Sequence, residues 1–348
     1  MLKPVRPRAR RRYLLPAIAA LIAIGALIAG CSDDNSADKL TIYTDQHVEL
    51  VQGLADAYTA KTGVKFDIQP DATVGQIEAE GKESRADIFL SEDPGSIAQL
   101  NAKKLLSPVD PATLAQVPAN LNSSNGNWVA YAARVRVLYY NPTKIEESDL
   151  PRTLADIVDP KYAGQFAWAP SGAFVATTQY LIDTIGLEKT TEFLRQIKAN
   201  GVNEQKNGNV RDTVEAGRHA MGLSNHYYWW IQASEKGGPD KMTSKIYHFP
   251  TVDPGNLVLS SGAGVMASST KQEQAQAFLK WLTAPDGGQA IIASSDIAKS
   301  GAQYPVAKGT ASEIVGSLAD ITSPKYDMDR FADQGEAEQL IKQLGLSG

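Results

Sequence analysis

Cysteine is almost absent: Cys31 is the only one in 348 residues. Without a second thiol the chain can form no internal disulfide and no cluster of thiolate metal ligands. H-E-x-x-H, G-x-S-x-G and paired-carboxylate patterns are missing too, so the common signatures of zinc proteases, serine hydrolases and glycosidases have no counterpart. No internal repeat or low-complexity block occurs. Near the start, an apolar stretch from Tyr13 to Gly30 carries no charge at all.

That uncharged stretch follows a basic segment carrying Lys3, Arg6, Arg8, Arg10, Arg11 and Arg12, and it ends in I-A-G-C at Cys31. It is long enough to span a membrane, and a retained anchor helix is one reading. Small residues before a lone cysteine instead resemble a bacterial lipoprotein signal, residues 1–30, with cleavage before Cys31 and lipid on its sulfur. Either way the rest of the chain lies outside the cytoplasmic membrane. The polar residues 31–38 then read as a short tether. Loss of the leader removes six of the 34 basic residues and none of the 39 acidic ones, which leaves a net charge of about −11. So acidic a chain is a poor partner for nucleic acid.

From Leu40 onward strand and helix patterns alternate. LTIYT (40–44), VKFDI (64–68) and ADIFLS (86–91) read as strands; Leu50, Leu54 and Tyr58 mark one face of an intervening helix that stops at Gly63. Helical patterns around Val74–Lys82 and through Ile97–Leu106 follow. A second run holds RVRVLYYN (134–141), GQFAWA (164–169), a helix over Phe174–Ile185 and HAMGLS (219–224). Alternation at this spacing implies an α/β fold with mainly parallel strands, and about 310 residues suffice for two lobes.

In such sheets ligands bind beyond the carboxyl ends of the strands. His47 follows the first strand and Glu92 the third; Ser171, Gly172 and Ala173 open a helix after GQFAWA; Tyr227 and Tyr228 follow HAMGLS within SNHYYWW. Adjacent residues of a strand face opposite ways, so the two tyrosines must lie on a turn or helix start if both hydroxyls converge. Carboxylate, phenolate and imidazole suit a hard trivalent cation rather than copper(I). Two phenolates and one carboxylate would neutralise Fe³⁺, and His47 would leave an octahedron two ligands short. A phosphate or carbonate anion could fill those positions, held by backbone N–H groups at the helix opening and by Asn207 or Asn225.

With these residues in view, the chain resembles the periplasmic ferric-ion-binding proteins, the substrate-binding components of iron ABC importers. The likeness extends over most of the chain beyond the leader. It is carried by Gln46-His47, ADIFLSE ending in Glu92, Arg134-x-Arg136, PSGAF (170–174), KNGN (206–209), NHYYWW, DPGNLVLSSGAGV (253–265) and QYPV (303–306). The resemblance implies the two-lobed type II periplasmic-binding-protein fold, with lobes of 39–136 plus about 256–304 and of 137–255 plus about 305–348. It implies His47, Glu92, Tyr227 and Tyr228 as iron ligands. Ser171, Gly172, Ala173, Asn207 and Asn225 match the seat of a synergistic anion, and Val48 after His47 is similar to the anion-requiring branch. A non-enzymatic monomer that delivers Fe³⁺ to an ABC permease is the expected partner scheme.

Two departures stand out. His226 stands where relatives commonly have asparagine, and Asp93 stands after Glu92 where glutamine is expected. His226 could ligate, bond the anion or only pack; Asp93 reads as a turn residue whose charge could disfavour a multivalent anion. Arg134 and Arg136 read as hinge-strand ion pairs, and His219 and His248 as surface or core residues. Two other functions compete: a receptor of the same fold for an oxyanion, thiamine-like molecule or polyamine, with Trp229 and Trp230 as a stacking wall, or a secreted metalloenzyme with an open metal position.

Overall fold

In the computed structural model of the chain, residues 39–294 and 302–347 are described. The leader, the tether and Cys31 lie outside the described residues. Three short parallel strands build one side: β1 (Lys39–Thr44) lies between β2 (Lys65–Gln69) and β3 (Ile88–Leu90). The inner strand β3 is apolar and buried throughout, whereas the edge strand β2 alternates Phe66 and Ile68 with exposed Lys65 and Asp67. The first helix, α1 (Val48–Thr62), buries Leu50, Leu54 and Tyr58 and ends at Gly63, whose φ of 80° is the left-handed turn that glycine adopts without a Cβ clash. Helices α2 (Val74–Glu80), α3 (Pro94–Ala102) and α4 (Pro111–Leu114) follow.

The organising element is β4 (Val129–Tyr140), buried along its whole length. Its residues 129–135 pair antiparallel with β9 (Val258–Val265), which in turn pairs with β3. Its residues 136–140 pair antiparallel with β7 (Met221–Asn225), and 138–140 also with β8 (Lys245–Tyr247). The second side is again a parallel trio, β7 beside β5 (Phe166–Trp168) beside β6 (Val202–Asn203). One strand therefore belongs to two half-sheets, with the changeover between Val135 and Arg136. Each half has its own apolar core, one around Ile42, Phe89, Trp128 and Phe278, the other around Phe166, Trp168, Leu194 and Phe249.

Around the second half stand α5 (Gly172–Ile185), α6 (Leu187–Asn200), α7 (Asn207–Glu215) and α8 (His226–Glu235), while α9 (Gln272–Leu282) and α10 (Gly288–Ser294) cover the first. The end of the chain touches both. The short β10 (Tyr304–Pro305) pairs with Ala133 and Ala132, and Asp329 accepts from Asn101, Ser123 and Trp128. The last helix, α11 (Gly335–Gln343), docks on α5, where Ala337 N–H donates to Gln179 Oε1. Among the described residues no helix is long and apolar enough to cross a membrane.

Candidate metal centre

Two strand ends supply the first pair of candidate ligands. Thr44 and Leu90 are register partners at the ends of β1 and β3, so His47 and Glu92 leave the same edge of the sheet side by side. Asp45 fixes their spacing: its Oδ1 accepts from Glu92 N–H at 2.7 Å. Burial raises the Asp45 carboxyl pKa, opposed by that bond and by Ser96. Gln46 is buried; its amide donates to Tyr131 and Ser261, and its carbonyl accepts from His47 N–H. Ser261 donates in turn to Glu92 O. The result holds His47 Nε2 4.0 Å from Glu92 Oε1, with both side chains still reachable from solvent, 43% and 26% exposed.

The second pair answers the question posed by SNHYYWW. Strand β7 ends at Asn225 and helix α8 begins at His226, so Tyr227 and Tyr228 occupy its first turn. A helical start turns consecutive side chains by about 100° instead of 180°, and the two rings lie 4.2 Å apart at an interplanar angle of 32°. Tyr227 faces His47 across the seam between the halves, edge-on at 6.2 Å between ring centroids. Burial, then the charge of Glu92 and the neighbouring Tyr228, push the Tyr227 hydroxyl well above its usual pKa, with Arg134 opposing. Without a cation the phenol keeps its proton. Among the described residues no three His, Cys or carboxylate side chains cluster for a metal, so a metal site here depends on the tyrosines.

Three helices open side by side over the second half. In the order β7, β5, β6, the strand ends lead into α8, α5 and α7, placing Tyr227, Ser171 and Asn207 along one edge. Ser171 caps α5 by accepting from Phe174 N–H at 3.3 Å. The first N–H groups of a helix have no partner within it, and those of Gly172 and Ala173 face this edge. Asn207 is buried, and among the described residues its side-chain carbonyl has no partner. Asn225 does not cap α8; its Oδ1 accepts instead from Arg136 Nη1 at 2.8 Å. The first N–H groups of α5 and the buried Arg136 guanidinium make this corner electropositive.

The two β4 arginines part company. Arg134 is an ion-pair residue as expected, bonded to Asp93 and 3.5 Å from Glu92 Oε1. Arg136 is a correction: among the described residues no carboxylate pairs with it, its partner is the neutral Asn225 amide, and burial lowers its pKa to about 10. His226 also resolves. Val135 N–H donates to its Nδ1 at 3.1 Å, which leaves Nε2–H to donate to Ala302 O at 2.9 Å. Both ring nitrogens are committed, the ring is fully buried, and burial lowers its pKa to about 3 against the opposing hydrogen bonds. It is a strut between β4 and α8. His219 is 2.8 Å from Glu204, and Trp229 donates to Ser244 O at 3.2 Å, inside the core rather than on a stacking wall. Asp45 and Ser261 were not named as positioning residues, and Arg136 and Asn225, each singled out in the sequence, were not expected to pair with each other.

Residues 44–289 match the model of the bacterial extracellular solute-binding proteins. The "Fe(3+)-binding periplasmic protein" of Serratia marcescens is 36% identical over 333 residues, covering 94% of this chain and 96% of its own length. The chain is a member of the periplasmic ferric-ion-binding protein family. A "Major ferric iron-binding protein" of Neisseria meningitidis serogroup B is 32% identical over 345 residues, 96% of this chain and 98% of that one. Among solved structures, iron-bound HitA from Pseudomonas aeruginosa superposes with a TM-score of 0.78 at 34% identity, covering 88% of this chain and 99% of that one. The half-sheets joined by β4 are thus the two lobes of this extracytoplasmic family, whose members bind for transport and are not enzymes.

Proposed function

We propose that this protein captures Fe³⁺ outside the cytoplasmic membrane and delivers it to an ABC importer. The observation that carries the reading is the approach of His47 and Glu92, on one lobe, to Tyr227 and Tyr228, on the first turn of α8 in the other. Three anionic donors balance a trivalent ion, and hard oxygen donors match its preference. Loading displaces the Tyr227 proton and so must compete with acid. A phosphate or carbonate seated at Ser171, Gly172, Ala173, Asn207 and Asn225 completes the shell; the support is the electropositive corner, where Arg136 has no carboxylate partner among the described residues. Lobes of 39–136 with about 256–304 and of 137–255 with the last helix close about a hinge at Val135–Arg136, while Pro305 and Asp329 of the remaining segment bond the first lobe. The protein acts as a monomer held to the membrane by lipid on Cys31.

Native mass spectrometry of protein loaded with ferric citrate and desalted into bicarbonate or phosphate tests the reading. One iron plus one anion per chain is the expected mass. A chain that takes up no iron, or takes it equally after Tyr227 and Tyr228 are both replaced by phenylalanine, overturns it. Mass spectrometry of the membrane fraction tests the anchor, which fails if Cys31 is unmodified.

A further inference from the structure

Asp93 occupies the N-cap position of α3, where an aspartate ordinarily bonds the first N–H groups of its own helix. It makes no such bond. Its carboxylate turns the other way. One oxygen pairs with Arg134, whose side chain is 2% exposed. The other lies against the opening of α5 on the opposite lobe, where a methyl group built on Gly172 would meet Asp93 Oδ2 at 3.5 Å. A negative group therefore already stands at the positive end of a fourteen-residue helix, beside its unpaired N–H groups.

We propose that Asp93 is a resident anion: its carboxylate holds, across the seam, part of the seat that a free anion would take beside the iron. Resting on the anion seat described above, the inference deepens that reading by setting which anions the seat accepts. An incoming anion must displace Asp93 or share the corner with it. The phosphate dianion meets the stronger repulsion, bicarbonate the weaker, so this chain favours the singly charged anion. Arg134 supports the exchange. When Glu92 turns to the metal, Asp93 remains to neutralise the buried guanidinium, which would otherwise be left unpaired.

The test compares wild type with Asp93→Asn, which keeps shape and removes charge, and with Asp93→Gln as a second variant should the first fold poorly. Metal-free protein is titrated with inorganic phosphate and with bicarbonate by calorimetry, and iron affinity is measured by citrate competition with each anion present or absent. The neutral variants should bind phosphate about tenfold or more tightly than wild type, with a smaller gain for bicarbonate, as expected when one like charge leaves a contact shell. Their iron affinity should depend on phosphate more steeply than that of wild type. Equal phosphate responses in wild type and both variants, with iron still bound, overturn the inference and spare the iron reading. Phosphate binding gained by the variants in a protein that never takes iron overturns the iron reading and keeps the resident anion.

Discussion

Replacing His226 by leucine removes two buried hydrogen bonds at once while keeping a side chain of similar bulk. The Val135 N–H and the Ala302 carbonyl now find solvent-free space where the ring nitrogens lay at 3.1 and 2.9 Å. Leaving a buried donor or acceptor unsatisfied costs about 1–3 kcal/mol. Two such groups add to about 2–6 kcal/mol, offset in part by the apolar surface that leucine buries. Urea denaturation followed by tryptophan fluorescence reads the change as a lower midpoint at unchanged slope. Asparagine, which offers one donor and one acceptor, should recover part of the loss. Because the strut also fixes the first turn of α8, iron affinity should fall in the leucine variant even at temperatures where it is fully folded. A leucine variant within about 0.5 kcal/mol of wild type, the scatter of neutral surface changes, would refute the reasoning and return His226 to the list of candidate ligands.

Three further outcomes follow from the same geometry. Ser171→Glu places a second carboxylate at the α5 opening, so iron affinity should fall and its response to bicarbonate vanish in citrate competition; an unchanged response means the anion sits elsewhere. Iron bridging the lobes should narrow the population toward the closed form, seen as a smaller radius of gyration by small-angle scattering, with no change contradicting capture by closure. Burial pushes the Glu215 carboxyl up, but Lys236, Ser244 and the Thr243 and Ser244 N–H groups outweigh it and hold the pKa near 2. Its contribution is thus complete above about pH 4.5 and is lost as pH falls toward 2, so Glu215→Gln should be destabilised at neutral pH and show a flatter acid limb in thermal melts between those values.

Much of the fold was legible because its strands are short apolar runs separated by helical periodicity. LTIYT, ADIFLS and HAMGLS fall on β1, β3 and β7, and the Gly63 stop is real. The antiparallel course of β4 and β9 was less visible: a strand buried on both faces shows no alternation, and nothing local tells RVRVLYY that it changes sheets between Val135 and Arg136. Helix bounds shifted where local chemistry intervened. The pattern through Leu106 ends at Ala102, and the helix starts earlier than Ile97 because Pro94 fixes its first turn. At the site, residue types and strand-end positions pointed to His47, Glu92, Tyr227 and Tyr228 as candidates, and the structure brings these four side chains together. The partners that place them were not legible, since Asp45, Ser261 and Arg134 meet Glu92 through contacts 42 to 169 residues apart in the chain. The roles of Asp93 and His226 hinge on which way a side chain turns, and only three-dimensional packing decides that.

The central claim is that two adjacent phenolates hold one ferric ion. Phenolate-to-iron charge transfer absorbs visible light, so the measurement is the visible spectrum of protein loaded with one equivalent of iron, for wild type, Tyr227→Phe and Tyr228→Phe, each titrated with a strong chelator. Wild type should be orange to red and bleach on chelation. Each variant keeps its ring and its packing but loses one anionic donor; its band should shift or fade and its iron affinity drop by more than about 100-fold, beyond the roughly 10–100-fold usual when a residue that only orients a metal ligand is changed. Both variants retaining wild-type colour and affinity would contradict the claim and leave the aromatic run a piece of core.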